Sequence, residues 1–427
     1  MQDVDLVVHG SSQLLAIEPL PEASSEQAAG AGEADAAALG VVPGGALAIS
    51  GGRIVDAGAG DRILDTYRGQ RVIDAAGRVV MPGLVDPHTH AVFAGSRHLE
   101  FGLRMRGAAY LEILAAGGGI HSTVEATRSA TRDRLVVEAL PRLARALAFG
   151  VTTMEIKSGY GLDVDTEIRM LEAVAELDRR QPMRLVPTYL GAHVVPREFE
   201  GRRGDYLHLM IHRVLPEIVR RGLAQACDVY VDEGAYTIDE ARALLEAAAG
   251  LGLATKIHAG QFTDQGGPEL IAGLGGLSAD HLEVISDAGV AALAASGTVA
   301  NLLPGAAMCL RDRFPDGRRL ADAGVTVAVA TDDNPGSSRT ENLPLMAQLA
   351  ATRMGLSSAE AIRGVTVNAA RALGLEGEAG SLLPGRSADI LILAVPDFRA
   401  FLYHFGVNHT ATVIAGGEVV FEEPCQP

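Results

Sequence analysis

The chain has little of what would tie it to a membrane, a nucleic acid or a disulfide scaffold. No apolar run reaches the roughly 18 residues needed to cross a bilayer, so no membrane partner is expected. Cysteine is scarce. Cys227, Cys309 and Cys425 are an odd number, far apart and without CxxC spacing, which excludes a disulfide framework and a thiolate zinc site. Basic charge is also short: the formal net charge is -17, and phosphate binding needs clustered Lys and Arg to displace counterions. Nucleic acid is therefore excluded, whereas an anionic small molecule stays open if arginine is placed locally. Met1-Gln-Asp-Val-Asp5 carries two acids and no base ahead of its apolar stretch, the reverse of a secretory signal. A cytoplasmic location with reduced thiols is the expectation. No repeat of solenoid period is visible.

What is there suits a globular enzyme. Hydrophobic residues make up 48% and charged residues 21% of 427, a length that fits a barrel of about 250 residues plus an appendage. From Val79 onward, short apolar runs alternate with helical patterns. Eight strands are expected: Leu84–His88, Thr152–Lys157, Leu185–Tyr189, Asp228–Val231, Thr255–His258, Ala279–Leu282, Val299–Leu302 and Val325–Thr331. Eight βα units predict a closed parallel barrel, with outer helices such as Asp165–Arg180 and Asp239–Leu251. The two ends read as strands with Gly turns: Asp5–His9, Ala46–Ile54 and Arg71–Asp74, then Asp389–Leu393 and Thr412–Val420. The predicted fold is thus α/β, a distorted (β/α)8 barrel over 82–377 with a small β-sandwich built from 1–81 and 378–427. Pro21–Gly40, rich in Ala, Gly, Ser and Glu, is expected to be a mobile surface insertion.

Barrel enzymes carry their working groups at the carboxyl ends of the strands. Asp86-Pro-His88-Thr-His90 closes the first strand, and a period of two aims both imidazoles to one side. His258 ends the fifth strand, His281 the sixth and Asp332 the eighth. A lone histidine on an apolar strand is usually a packed core residue. The joint pattern reverses that, and His88, His90, His258 and Asp332 are the expected ligands of one Zn2+ or Fe2+/Fe3+ ion, since three neutral imidazoles and a carboxylate suit those metals. Other motifs carry less. His208 and His212 have helical spacing but lack the Glu of HExxH, so a helix surface is preferred. Gly117-Gly-Gly119 and Gly159-Tyr-Gly161 match no complete phosphate loop and are read as hinges or lids. Cys309 has no obvious base, and Lys157 is read as a supporting ion pair.

These residues also carry a resemblance. Pro82-Gly-Leu-Val-Asp-Pro-His-Thr-His90 resembles the first-strand motif of the amidohydrolase superfamily. Further stretches narrow it: Phe93-Ala-Gly-Ser-Arg97, Gly117–Arg128, Glu155–Asp163, Tyr189-Leu-Gly-Ala-His193, Ser278-Ala-Asp-His281 and Thr331-Asp-Asp-Asn-Pro-Gly-Ser337 are similar to the imidazolonepropionase family of histidine breakdown. The resemblance spans nearly the whole chain outside Pro21–Gly40. It implies hydrolysis of the ring amide of 4-imidazolone-5-propanoate to N-formimidoyl-L-glutamate, with His281 and Asp332 moving the proton. It places Arg97 and Tyr160 on the propionate side, His193 near the ring, Gln261 on a ring nitrogen, and Asn334, Gly336 and Ser337 in a substrate-binding loop. An Arg fork suits a carboxylate, although Arg97 has an ordinary ion pair as its plainer role. Gln261 stands where some members have Glu; an amide hydrogen-bonds but moves no proton. A homodimer is the assembly expected. Two other readings stay open here: a deaminase of an aminated heterocycle, using the same metal set, and a non-catalytic barrel, which would have lost ligands.

Overall fold

The computed structural model describes residues 1–18, 31–107 and 118–423. Its centre is a sheet of eight parallel strands in strict chain order: Leu84–Asp86, Val151–Lys157, Arg184–Ala192, Ala226–Val231, Ala254–Ala259, Ser278–His281, Val299–Leu302 and Val327–Val329. All eight expected strands are present. Two are shorter than expected: the first stops before Pro87, which has no N–H to give to a ladder, and the eighth stops at Val329. The seam between them is closed past the strand ends, where Asp332 N donates to His88 O at 3.0 Å and His90 N to Asp333 O at 2.9 Å. The HxH segment is therefore backbone-bonded to the eighth strand, and Lys157 N donates to Thr89 O at 2.9 Å from the second. Three intended ligands share one rigid patch of barrel rim.

The helices follow their caps. Val164–Arg180 begins at Asp163, whose carboxylate accepts from Thr166 N, and Ile238–Gly250 begins with a capping box between Thr237 and Glu240. Such caps contribute about 1 kcal/mol each. Their apolar faces join one core cluster with the outer faces of the strands.

The terminal segments form two further sheets. Gln2–His9, Gly45–Ser50, Arg53–Ala59 and Tyr67–Asp74 make one. The other joins Gln13–Leu15, Val41–Pro43 and Val79–Pro82 to Ile390–Leu393, Thr410–Ala415 and Glu418–Glu422. Leu6, Leu47, Ile49, Val80, Ile390, Ile392 and Ile414 pack together as their shared core. Two of the spans read as β-rich with Gly turns are hairpins. Ala46–Ile54 turns at Gly51 and Gly52, with φ of 58° and 72°, and Thr412–Val420 turns at Gly416 and Gly417, with φ of 55° and 84°. A two-residue turn with both residues left-handed fits the twist of a hairpin and favours glycine.

The expected insertion Pro21–Gly40 needs correction in its second half. Residues 19–30 lie outside the described residues, but Ala31–Ala38 is a helix. Leu39 behind it is fully buried, and Arg363 of the helix Ser358–Gly364 donates to Ala38 O and Ile17 O. One buried leucine and a bound arginine outweigh the low complexity of the sequence. Deleting Ala23–Ala38 is expected to lower the melting temperature by a few degrees, roughly 1 to 2 kcal/mol of lost packing, and to leave kcat unchanged. Loss of turnover in a still-folded deletion, read by circular dichroism and an activity assay, would contradict this.

Candidate active site

The lumen of this barrel is not the aliphatic filling usual for the fold. Period-two alternation points Asp86 and His88, Glu155 and Lys157, Lys256 and His258, and Ser278 and Asp280 inward, and all eight are buried. His88 is the hub. Its ring lies 5.3 Å from that of His90, 4.5 Å from His258 and 5.9 Å from His281. Asp332 Oδ1 lies 3.5 Å from His88 Nε2 and 3.6 Å from His90 Nε2. Ligand atoms of His88, His90 and Asp332, and likewise of His88, His258 and His281, all fall within 4.8 Å of one another. The structure thus brings together the four expected ligands and the extra histidine.

The donor set fits a cation on two independent grounds. First, the imidazoles are held from behind. Asp280 Oδ2 lies 2.7 Å from His88 Nδ1 and Asp228 Oδ1 3.1 Å from His258 Nδ1, so both rings carry Nδ1–H and turn Nε2 toward the cluster. Those two Nε2 atoms are buried with no hydrogen-bond partner, a cost of about 1–3 kcal/mol each unless a ligand takes the lone pair. Second, burial holds the pKa of His88, His90 and His258 well below the usual range, and neutral imidazole is the ligating form. Burial also pushes Asp332 up to about 7, a penalty that a cation beside it removes.

Beneath the histidines lies an ionic layer that the sequence reading did not assign. Lys157 Nζ contacts Asp228 at 2.6 Å, Glu155 at 2.9 Å and Asp280 at 3.4 Å. Lys256 Nζ contacts Glu155 at 2.8 Å and Pro87 O at 3.0 Å. These are the chain's two lysines, and both are fully buried. Burial alone opposes charge on Lys157, but Asp228, Glu155 and Asp280 outweigh it and raise its pKa. The supporting ion pair expected for Lys157 is present, and it steadies the two carboxylates that hold His88 and His258. The missed signal was the alternation itself, since charged residues two apart inside apolar strands have nowhere to point but the lumen.

Beside the histidine cluster, aromatic rings pack just past the ends of the second and third strands. Tyr160 lies 5.7 Å from His90 and 5.4 Å from His193, and His193 stacks on His90 at 5.3 Å. His193 Nδ1 donates to Gly159 O at 3.0 Å, and burial lowers its pKa to about 4, so the ring is neutral and Nε2 is an acceptor. Burial raises the pKa of Tyr160 above its usual value, with Asp332 adding to the effect, so the phenol keeps its proton. Gln261 accepts a hydrogen bond from Tyr230 Oη at 3.0 Å.

Arg97 Nε pairs with Glu100 at 2.8 Å, and its guanidinium lies against Gly336, where an added Cβ would come within 2.3 Å of Nη1. Glycine at 336 clears the space for that fork. In the same loop Asn334 Oδ1 accepts from Gly336 N at 2.7 Å and Ser337 N at 2.8 Å, while its amide donates to Asp332 O at 2.7 Å and Ser337 Oγ at 2.8 Å. These donors are engaged inside the loop, so what the loop presents is shape and the Ser337 hydroxyl, which donates to Asp332 Oδ2 at 3.3 Å.

The weaker motifs find plainer roles. His208 and His212 sit exposed on a helical segment, their rings 4.2 Å apart. Gly159 and Gly161 belong to a fixed turn rather than a hinge, because the buried Glu167 carboxylate accepts from the N–H groups of Gly159, Gly161 and Leu162. Gly117 and Cys425 lie outside the described residues, while Gly119 precedes the helix Ile120–Arg128. Cys309 is partly buried, and desolvation raises its thiol pKa, the opposite of an activated nucleophile.

Comparison with known proteins identifies the relatives of this chain. The family model described as the amidohydrolase family matches residues 79–420. The imidazolonepropionase of Geobacillus kaustophilus is 47% identical over 90% of this chain and 92% of its own, and that of Myxococcus xanthus is 45% identical over 99% of each. Among solved structures, a zinc-bound adenosine deaminase from Xanthomonas campestris aligns with a TM-score of 0.72 at 17% identity over 98% of this chain and 93% of its own. A 5-methylcytosine deaminase from Klebsiella pneumoniae aligns at 0.73 and 18%, over 99% of this chain and 98% of its own; at that identity these two share the fold. With relatives this similar along nearly its whole length, the chain belongs to the imidazolonepropionase family of the amidohydrolases.

Proposed function

We propose that this chain hydrolyses the ring amide of 4-imidazolone-5-propanoate to N-formimidoyl-L-glutamate, with one divalent ion held by His88, His90, His258 and Asp332. The observation that carries the reading is the union of two features within one site. One is a buried set of neutral imidazoles with unpartnered Nε2 atoms; the other is an arginine fork beside a neutral histidine and a protonated tyrosine. Zinc or ferrous iron suits such donors. When bound, the ion supplies Lewis acidity, which makes water a better nucleophile and polarises a carbonyl.

The protein's own residues do the rest. Arg97 takes the propionate, Tyr160 donates beside it, and His193 Nε2 accepts from a ring N–H. Gln261 binds a ring nitrogen without moving its proton. Asn334 fixes the loop that keeps Gly336 clear of Arg97 and Ser337 on Asp332. Water oxygen then bonds to the ring carbonyl carbon, and the proton it loses passes to His281 and Asp332. As the C–N bond breaks, that proton goes to the departing nitrogen, and the new carboxyl group releases its remaining proton to become a carboxylate. The division into a barrel of 82–377 and a unit of 1–81 with 378–427, a cytoplasmic setting and a homodimer belong to the same proposal.

The substitution Arg97→Lys is expected to raise KM about 10- to 100-fold with kcat within a few-fold, because a point charge replaces a planar fork. Unchanged KM would remove Arg97 from substrate binding. Product analysis separates the deaminase reading: formation of N-formimidoyl-L-glutamate without ammonia supports the proposal, and ammonia released from purines or pyrimidines contradicts it.

A further inference from the structure

The chain kinks at His281 and Leu282. His281 and Leu282 both have left-handed backbones, with φ of 84° and 67°, conformations that cost residues with a Cβ about 1 kcal/mol or more and persist only where the surroundings enforce them. The enforcement is visible. Leu282 N donates to Ala259 O at 3.1 Å and Val284 N to Gly260 O at 2.8 Å, so the segment stays zipped to the fifth strand beyond the end of the sixth. Gly260 has φ of 67°, and a Cβ there would stand 2.2 Å from Val284 O; only glycine lets the two backbones approach so closely.

The kink has one consequence for side chains. In a regular strand, residues 281 and 283 would face the same way some 7 Å apart. Here Glu283 Oε1 comes to 3.5 Å from His281 Nδ1, with the two side chains 4% and 2% exposed for His281 and Glu283. His281 Nδ1 and Glu283 Oε2 are both buried without a hydrogen-bond partner, so the 3.5 Å approach of Glu283 Oε1 is an ionic contact longer than a formed hydrogen bond. A buried carboxylate paired with an imidazole is costly to keep.

We propose that Glu283 is a positioning residue for His281. It accepts Nδ1–H, fixes the tautomer that presents Nε2 to the reacting water, and stabilises the imidazolium formed when the proton arrives. This rests on the proton role given above to His281. It is the base-and-orienter arrangement by which a carboxylate holds a histidine in register for proton transfer, reached here by backbone strain instead of by a distant strand. A contact of 3.5 Å is compatible with that role, because such bonds shorten when substrate or charge is present.

The test uses the metal-loaded full-length enzyme and four variants: Glu283→Gln, which keeps shape and acceptor, Glu283→Leu, which keeps neither, His281→Ala, and His281→Ala combined with Glu283→Gln. Metal content by atomic absorption and the fold by circular dichroism are recorded for each. Both Glu283 variants are expected to hold metal at the wild-type level. Glu283→Gln should lose about 10- to 100-fold in kcat with KM within about threefold, Glu283→Leu more, and the double variant no more than His281→Ala alone. Wild-type kcat in Glu283→Gln, multiplicative losses in the double variant, or loss of metal from Glu283→Gln would each overturn the proposal. If Glu283→Leu fails to fold, the isosteric Glu283→Gln and the double variant decide it. Normal turnover by His281→Ala would instead sink the reading of His281 itself, which keeps the two failures apart.

Discussion

Turnover is expected to fall about 10²- to 10⁴-fold in His281→Ala, while the protein still takes up metal at the wild-type level. The reason is positional. His281 lies with its ring 5.5 Å from that of His258 and 5.9 Å from that of His88, close enough to reach a water held among them. The four expected ligands remain in place without it. Its surroundings also differ from theirs: burial opposes its charge, but Glu283, Asp332 and Asp280 prevail and raise its pKa, whereas the pKa of His88, His90 and His258 is driven down. One histidine is prepared to carry a proton and three are prepared to refuse it. His258→Ala should behave oppositely, losing the metal along with activity. Parallel metal analysis and steady-state kinetics separate the two, and a His281→Ala protein with normal kcat would contradict the assignment.

The second large effect is expected at Lys157→Met. The substitution preserves volume but leaves Asp228, Glu155 and Asp280 facing one another with Lys256 as their remaining lysine. Removing one partner from a buried ionic set costs about 3–5 kcal/mol, because the orphaned charge stays in low dielectric. Function should suffer beyond stability. Asp228 and Asp280 hold His258 and His88 by Nδ1, and loss of such supports typically lowers metal affinity about 10- to 100-fold. Denaturant unfolding gives the first figure and competition with a chromophoric chelator the second. A variant with wild-type midpoint and affinity would show the ionic layer to be filling and nothing more.

Most of the barrel was legible because a strand that ends in a metal-type residue combines two strong signals, apolar β-branched runs and rare polar endings. His88, His90, His258, His281 and Asp332 could be read this way. The ionic layer was written in the same strands, as Glu155-Ile-Lys157, Lys256-Ile-His258 and Asp280 before His281, but its pairing depends on which strands neighbour one another across the lumen. Spacing along one strand cannot give that. Glu167, which fixes the Gly159–Gly161 turn, and Glu283 were hidden for a related reason: each acts through a turn whose dihedrals come from tertiary contacts. The two terminal hairpins were legible locally, since Gly51-Gly52 and Gly416-Gly417 announce left-handed turns. Ala31–Ala38 was obscured by composition, where alanine and glycine suggested a linker while Leu39 and Arg363 supplied the anchorage.

The central claim is that His88, His90, His258 and Asp332 jointly hold one cation without which the ring amide is not cleaved. The most direct test follows the ultraviolet absorbance of imidazolonepropionate with chelator-stripped protein as Zn2+ or Fe2+ is added back stepwise. The account predicts negligible consumption at the start, a rise in rate in proportion to added metal, and a plateau at about one ion per chain. A stripped protein that consumes substrate at the full rate would contradict it.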